Sequence, residues 1–356
     1  MTTSSAFPTL ESVNEALSLA KHAGLKEGRG GVGEGVIVGI GSGPAIDLAK
    51  AVSDRIHGAD INGNLILAPA TLGGLWAASS SFSIVLDTKE EMLLPDMVPS
   101  GGSFLRRDVV VTLDSLQNLS IPPLYSVLTP TRKTDVQTPL SMAHAAAGAL
   151  TILLDVARLV DSMNAEVDAK FAKQLTVVAS LCASVMNAAA TESKTDDTTA
   201  HLISAILHLP SLIEKTNDGQ SFSETVPQQL ANALLPTYFP QSHILTYFAC
   251  ILPGLCGALE SNNMTKSLVR EVTKSVLDGS ESDSTLSSWA SNITREAGIP
   301  TMSSLAFGTP DLDTLSQKVN AYDTLRELRE ADCGIRGRMS HDDSFLLEVL
   351  ERSLNQ

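Results

Sequence analysis

Along the first quarter of the chain, short apolar runs alternate with glycine turns and amphipathic stretches. In residues 10–24, Leu10, Val13, Ala16, Leu17 and Ala20 recur at helical spacing and predict a helix. After a Gly-rich stretch, Gly28 to Gly35, Val36-Ile37-Val38 reads as a short buried strand. It runs into Gly39-Ile40-Gly41-Ser42-Gly43-Pro44, and a helix is predicted from Ala45 to Arg55. Pro44 suits a first helical turn, where a missing N–H costs nothing. Further strands are predicted at Asn64 to Ala68, Ser81 to Leu86 and Asp108 to Thr112, with Pro95 to Arg106 a surface loop. This order is that of an α/β unit.

Near Pro130 the period changes. From Ser141 the pattern is helical, with helices predicted at 140–161, 166–190, 198–215, 223–234, 243–260, 262–278, 284–297, 311–331 and 341–354. Polar turns at Thr191–Asp197, Asn217–Gly219 and Asp278–Ser284 separate them. Asp313 is read as a helix-capping residue. The expected division is an α/β domain over 1–130 and an all-helical domain over 131–356.

Composition narrows the function classes. Aromatics are only 4% against 43% apolar residues, so aliphatic side chains must fill the core. The 25 Lys and Arg face 40 Asp and Glu, a formal charge of -15, which argues against nucleic acid and anionic membrane as partners. Cys182, Cys250, Cys256 and Cys333 form no CxxC pair and read as buried thiols of a reducing compartment. Met1 to Leu10 lacks the basic-then-apolar pattern of a secretory leader, and no run of 18 apolar residues is uninterrupted. A cytoplasmic protein acting on a small molecule is expected, with a homodimer left open. The sequons at Asn118, Asn263 and Asn292 then read as chance.

The sharpest chemical feature is the glycine turn. Glycines between a strand and a helix let the backbone approach an anion with N–H groups directed at it. Asp47 and Lys50 lie in the first two turns of the helix that follows. The turn is neither GxxxxGK[ST] nor a strict GxGxxG, because Pro44 holds the sixth position. Two readings stay open: a phosphate or carboxylate nest, or a tight turn packed on the sheet.

Among the histidines, His144 sits in Ala143-His144-Ala145-Ala146-Ala147, where small neighbours allow close helix packing or a pocket. His243 opens another apolar helix. With pKa values near 6.5 the pair suits acid–base work, the alternative being two satisfied, partly buried imidazoles. His201 and His208 are two turns apart, about 10 Å, too far to share a metal. Arg336 and Arg338 either grip an anion or pair with Asp332, Asp342 and Asp343.

Gly41-Ser42-Gly43-Pro44-Ala45-Ile46-Asp47-Leu48-Ala49-Lys50 resembles the "GGGSxxDxAK" segment of the iron-type (group III) alcohol dehydrogenases. Pro69-Ala70-Thr71-Leu72-Gly73-Gly74 is similar to their "PTTxGTGSE" turn. Asp108 to Asp114 with Leu119 to Pro122 resembles the segment that closes their nucleotide domain. Met142-Ala143-His144-Ala145-Ala146 is similar to the "IAHAVEAL" helix of the maleylacetate reductase branch, and Leu230 to Pro253 resembles their later histidine region.

The resemblance implies a dehydroquinate synthase-like fold with a truncated Rossmann-like N-terminal domain. Only about 40 residues precede Gly41, where the family carries a first βαβ half for the adenosine end of NAD(P). It implies cofactor contacts at Gly41, Ser42, Gly43, Asp47, Lys50 and Thr71, and catalytic roles for His144 and His243. In the family an Asp and three histidines bind the metal, at positions that fall here on Leu140, His144, Gln229 and His243, and a further histidine by the substrate falls on Ala233. Two imidazoles survive, so no mononuclear metal is expected, and Trp76 stands where the family has a small polar turn. The expected function is an NAD(P)-linked, metal-independent oxidoreductase acting on a small carbonyl or keto acid in an interdomain cleft, with weak NAD or NADP binding. The alternatives are a non-redox lyase or isomerase in a repurposed pocket and a non-catalytic relative.

Overall fold

Residues 7–25, 35–57, 64–69, 74, 77–78, 82–87, 104–109, 139–162, 169–191, 225–239, 244–262, 267–278, 285–305, 311–332 and 343–356 are described by a computed structural model of the chain. They fall into two units. The first carries α1 (Leu10–His22), β1 (Ile37–Gly41), α2 (Gly43–His57), β2 (Leu65–Pro69), β3 (Phe82–Asp87) and β4 (Phe104–Val109). The second carries α3 (Pro139–Ser162), α4 (Ala169–Ala190), α5 (Val226–Tyr238), α6 (Ile244–Ser261), α7 (Ser267–Leu277), α8 (Leu286–Glu296), α9 (Met302–Leu305), α10 (Leu312–Asp332) and α11 (Asp343–Leu354). An α/β unit followed by a helical one is the architecture expected from the sequence.

In the first unit α1 starts at a reciprocal cap: Thr9 Oγ1 accepts from Ser12 N–H at 3.1 Å, and Ser12 Oγ accepts from Thr9 N–H at 2.9 Å. β1 and β2 pair in parallel, from Ile37 opposite Leu65 to Gly41 opposite Pro69. α2 is the hub. Ile46 and Ala49 pack with Leu65, Leu67, Ala77 and Ala78, while Leu48, Ala51, Val52 and Ile56 pack with Val13 and Val85. The apolar run predicts a buried β1, but Val38 is 52% exposed and Ile40 67%. Strand side chains alternate between faces, and α2 covers only the face carrying Ile37, Leu65 and Leu67.

β3 and β4 pair antiparallel, with Phe82 opposite Val109 and Asp87 opposite Phe104. The fourth strand therefore begins at Phe104, within the stretch read as loop, and earlier than Asp108. Ladder pairing with β3 selects this register, which local pattern does not contain.

The second unit is built on α3, which is apolar nearly all round and packs against α4, α6 and α7. Gly148 lets α6 approach: a Cβ there would stand 2.8 Å from the Leu245 carbonyl oxygen. One turn on, Thr151 Oγ1 hydrogen-bonds the carbonyls of Ala147 at 2.7 Å and Phe248 at 3.0 Å. α3 and α6 are each long and apolar enough to cross a membrane, yet both are largely buried within this unit.

Two buried carboxylates of α3 anchor other helices. Asp155 Oδ2 accepts from Val226 N–H, at the start of α5, at 2.7 Å, and its Oδ1 accepts from Arg158 Nε at 2.6 Å. Asp161 accepts from Leu268 and Val269 N–H, in the first turn of α7, at 3.2 and 2.9 Å. Helix N-termini leave donors without intrahelical partners, and carboxylates there satisfy them and oppose the helix dipole.

Boundaries shift from expectation by a few residues. α5 continues to Tyr238 through Pro236, and the short α9 has no counterpart among the predicted helices. The cap of α10 is Asp311, whose Oδ1 accepts from Thr314 N–H at 2.7 Å, rather than Asp313, which lies inside the helix. The helix expected at 198–215 lies outside the described residues.

Candidate functional site

The first cluster is the glycine turn between β1 and α2. Gly41 has φ of 136°, a conformation that L side chains resist. Ala45 and Ile46 N–H both donate to the Ser42 carbonyl, at 3.1 and 3.2 Å. Pro44 has no N–H, so the amides left at this helix end are those of Ser42 and Gly43. Ser42 is exposed and Gly43 buried. Gly74 lies against the turn, where a Cβ would come within 2.5 Å of the Gly41 carbonyl oxygen. Gly39 is confined in the same way, its absent Cβ only 2.6 Å from Ala49 Cβ. Backbone thus meets backbone at the turn, the packed arrangement, while Ser42 stays open to solvent.

Asp47, Lys50, Ser53 and His57 form a buried polar stripe along α2, spaced by three, three and four residues. Lys50 is fully buried and its Nζ donates to the Ala77 carbonyl at 2.7 Å. That ammonium braces the chain segment after β2. Thr71 and Trp76 lie outside the described residues.

The second cluster belongs to the helical unit. His144 is half-buried on α3, with Nδ1 3.2 Å from Thr246 Oγ1 of α6. Its Nε2 is buried without a hydrogen-bond partner. Burial disfavours the imidazolium and lowers the pKa from the ordinary 6.5. The ring is therefore neutral at pH 7, with one nitrogen able to give a proton and the other to take one. The surrounding alanines, Ala143 and Ala145 to Ala147, are buried, so small size serves close packing here. His243 lies outside the described residues; in sequence it stands three positions before Thr246.

On α5, Gln229 Nε2 donates to Asp323 Oδ1 of α10 at 3.1 Å, and Asn232 Nδ2 donates to Tyr322 Oη at 3.0 Å. Ala233 is buried and has no donor atom. Tyr247 Oη is also buried without a partner, and burial keeps this phenol protonated. Cys182 and Cys250 are buried thiols pushed up to about 12, and Cys256 is raised as well, so none is a ready nucleophile. No group of three His, Cys, Asp or Glu poised for a metal occurs among the described residues. His201, His208, Arg336 and Arg338 lie outside those residues. Sequence reasoning missed Thr246, Tyr322 and Asp323; nothing in their local pattern marks them, because each acts through a partner at least 90 positions away.

No family model matches the chain, and no curated protein does. Solved structures do. The maleylacetate reductase from Rhizobium sp. strain MTP-10005 matches with a TM-score of 0.56 at 11% identity, over 100% of this chain and 81% of that one. The maleylacetate reductase from Agrobacterium tumefaciens matches with a TM-score of 0.58 at 11% identity, over the same shares. The iron-containing alcohol dehydrogenase from Thermotoga maritima matches with a TM-score of 0.57 at 13% identity, over 98% of this chain and 81% of that one. At such identities the likeness establishes the fold. This chain has the fold of the iron-containing alcohol dehydrogenases and maleylacetate reductases.

Proposed function

We propose that the chain is an NAD(P)-linked oxidoreductase that reduces or oxidises a small carbonyl or keto-acid substrate without a resident metal. The observation that carries this reading is the strand–glycine–helix turn at Gly41 to Gly43, standing in a fold shared with maleylacetate reductases. The turn fits a pyrophosphate in one respect: two amides and an exposed serine stand at a helix N-terminus. When bound, a nicotinamide supplies or accepts the hydride. His144 is the proton-handling candidate. With Thr246 donating to Nδ1, its Nε2 carries the proton that a carbonyl oxygen needs as it becomes a hydroxyl; burial keeps that proton from exchanging freely with bulk water.

Fluorescence titration with NADH and NADPH tests the reading. Ser42→Glu adds a carboxylate at an exposed position, so the fold is expected to survive, and like-charge repulsion is expected to weaken cofactor binding about tenfold or more. No binding at roughly 1 mM cofactor, an affinity weaker than about 4 kcal/mol, overturns the assignment. A non-redox lyase or isomerase is the second reading, supported by the unpartnered Nε2 of His144, since proton transfer alone needs no nicotinamide. Turnover that is unaffected by NAD(P) but abolished in His144→Phe favours it.

A further inference from the structure

We infer that α10 is a strap across the polar face of α5, and that direct hydrogen bonds to it occupy the face which the iron-type resemblance turns toward a metal. Gln229 and Asn232 are three residues apart and so share one face of α5. Both reach to adjacent residues of α10, Gln229 to Asp323 and Asn232 to Tyr322. The Asn232–Tyr322 bond is dry, with Asn232 3% and Tyr322 1% exposed; Gln229 is 1% exposed, while its partner Asp323 is half-buried. Low local dielectric strengthens such bonds and makes their loss costly.

The start of α5 is fixed independently. Asp155 accepts from Val226 N–H, and Gln228 Oε1 accepts from the Thr225 N–H at 3.1 Å and hydroxyl at 3.0 Å. The strap is therefore a second anchor, placed one turn further along. It also takes up the Gln229 side chain, one of the positions a metal would require. The amide nitrogen of Gln229 has no lone pair to offer and is committed as a donor to Asp323. Ala233 contributes nothing, and His144, with Nδ1 on Thr246, offers only Nε2, a single imidazole nitrogen without the rest of a ligand set. Gln229 Oε1 is buried without a hydrogen-bond partner; one amide oxygen suits a hydroxyl or water donor and is a poor ligand for iron or zinc. The residues at this face do not fit a metal; they fit a helix–helix clamp.

None of these contacts involves the glycine turn, and the full chain serves for the tests. The unaltered protein is titrated with Zn²⁺ and with Fe²⁺, and treated with EDTA, while thermal unfolding is followed. No change in the midpoint beyond about 1 °C is expected, because a ligand bound only by the folded state must raise it. One tightly held ion per chain, with a midpoint that falls in EDTA and is indifferent to EDTA in Gln229→Ala, overturns the inference. Hydrogen exchange over residues 312–324 reads the strap itself. Gln229→Glu sets two carboxylates against each other and is expected to speed exchange there about tenfold. Combining it with Asp323→Asn turns the repelling pair into an amide donor facing a carboxylate, and is expected to return exchange close to the original rate. Unchanged exchange in the single variant, or no rescue in the double, overturns the clamp. The metal titration decides the matter if the single variant does not fold.

Discussion

His144 is the residue whose surroundings say most about chemistry, because burial has made its charge expensive. The unfolded chain accepts a proton on this ring below the ordinary histidine pKa of 6.5, whereas the folded chain resists it until a lower pH. The contribution to folding stability is therefore complete above about 6.5 and declines as the pH falls below that value. His144→Gln removes the titration, so its stability is expected to fall less over the acid limb, as urea denaturation at a series of pH values would measure. A variant with the same acid sensitivity as the original chain would place the titration elsewhere. Lys50 teaches the complementary point. Its spacing from the glycine turn is readable in the sequence, but its ammonium contacts the Ala77 carbonyl, a partner fixed by the path of the chain after β2 and invisible to spacing.

At the scale of elements, α3 does more than bury apolar surface. Asp155 and Asp161 cap α5 and α7 from the side, and Arg158 adds a contact of 4.3 Å over the Phe345 ring of α11. Asp155→Ala is expected to cost about 3 kcal/mol, since it strips a buried N–H and a buried guanidinium of one acceptor. Glu348→Ala, which breaks the partly exposed pair with Arg352 at 2.9 Å, is expected to cost less than about 1 kcal/mol. Chemical denaturation compares the two directly, and equal losses would contradict the anchoring role. Close helix contacts depend on glycine as well: a methyl at Gly254 would overlap Ser353 of α11, with the Val349 carbonyl oxygen only 2.9 Å away. Gly254→Ala is expected to lower stability by about 1–3 kcal/mol, the cost of overpacking a core that cannot give.

Each element type is legible because its cause is local. A short run of β-branched residues, Val36 to Val38, marks β1, and the apolar stripe Leu10, Val13 and Leu17 marks α1. The start of β4 at Phe104 is not legible, since only the ladder with β3 carries it past the charged Arg106 and Arg107. The continuation of α5 through Pro236 escapes sequence reading for a related reason: packing against α6 and α10 compensates for the lost intrahelical hydrogen bond.

At the scale of the whole molecule, each unit has its own buried core. Residues 139–356 enclose α3 and α6 within other helices, so that segment is proposed to fold alone. Expressed as a fragment, it is expected to give a helical circular dichroism spectrum and a cooperative thermal transition; a broad, featureless melt would show that it needs residues 1–138.

What the sequence determined by itself was the order of classes: α/β first, helices after, and a glycine turn, Gly41 to Gly43, between a strand and a helix. Those features rest on periodicity, on glycine's freedom and on residue identity, all of which are carried by neighbours in the chain. The tertiary structure alone decided which face of β1 is covered, what Lys50 and Gln229 bind, and that His144 keeps one nitrogen unpartnered. These depend on desolvation and on partners from 27 to more than 90 residues away, and hydrogen-bond geometry over such separations exists only once the helices have packed.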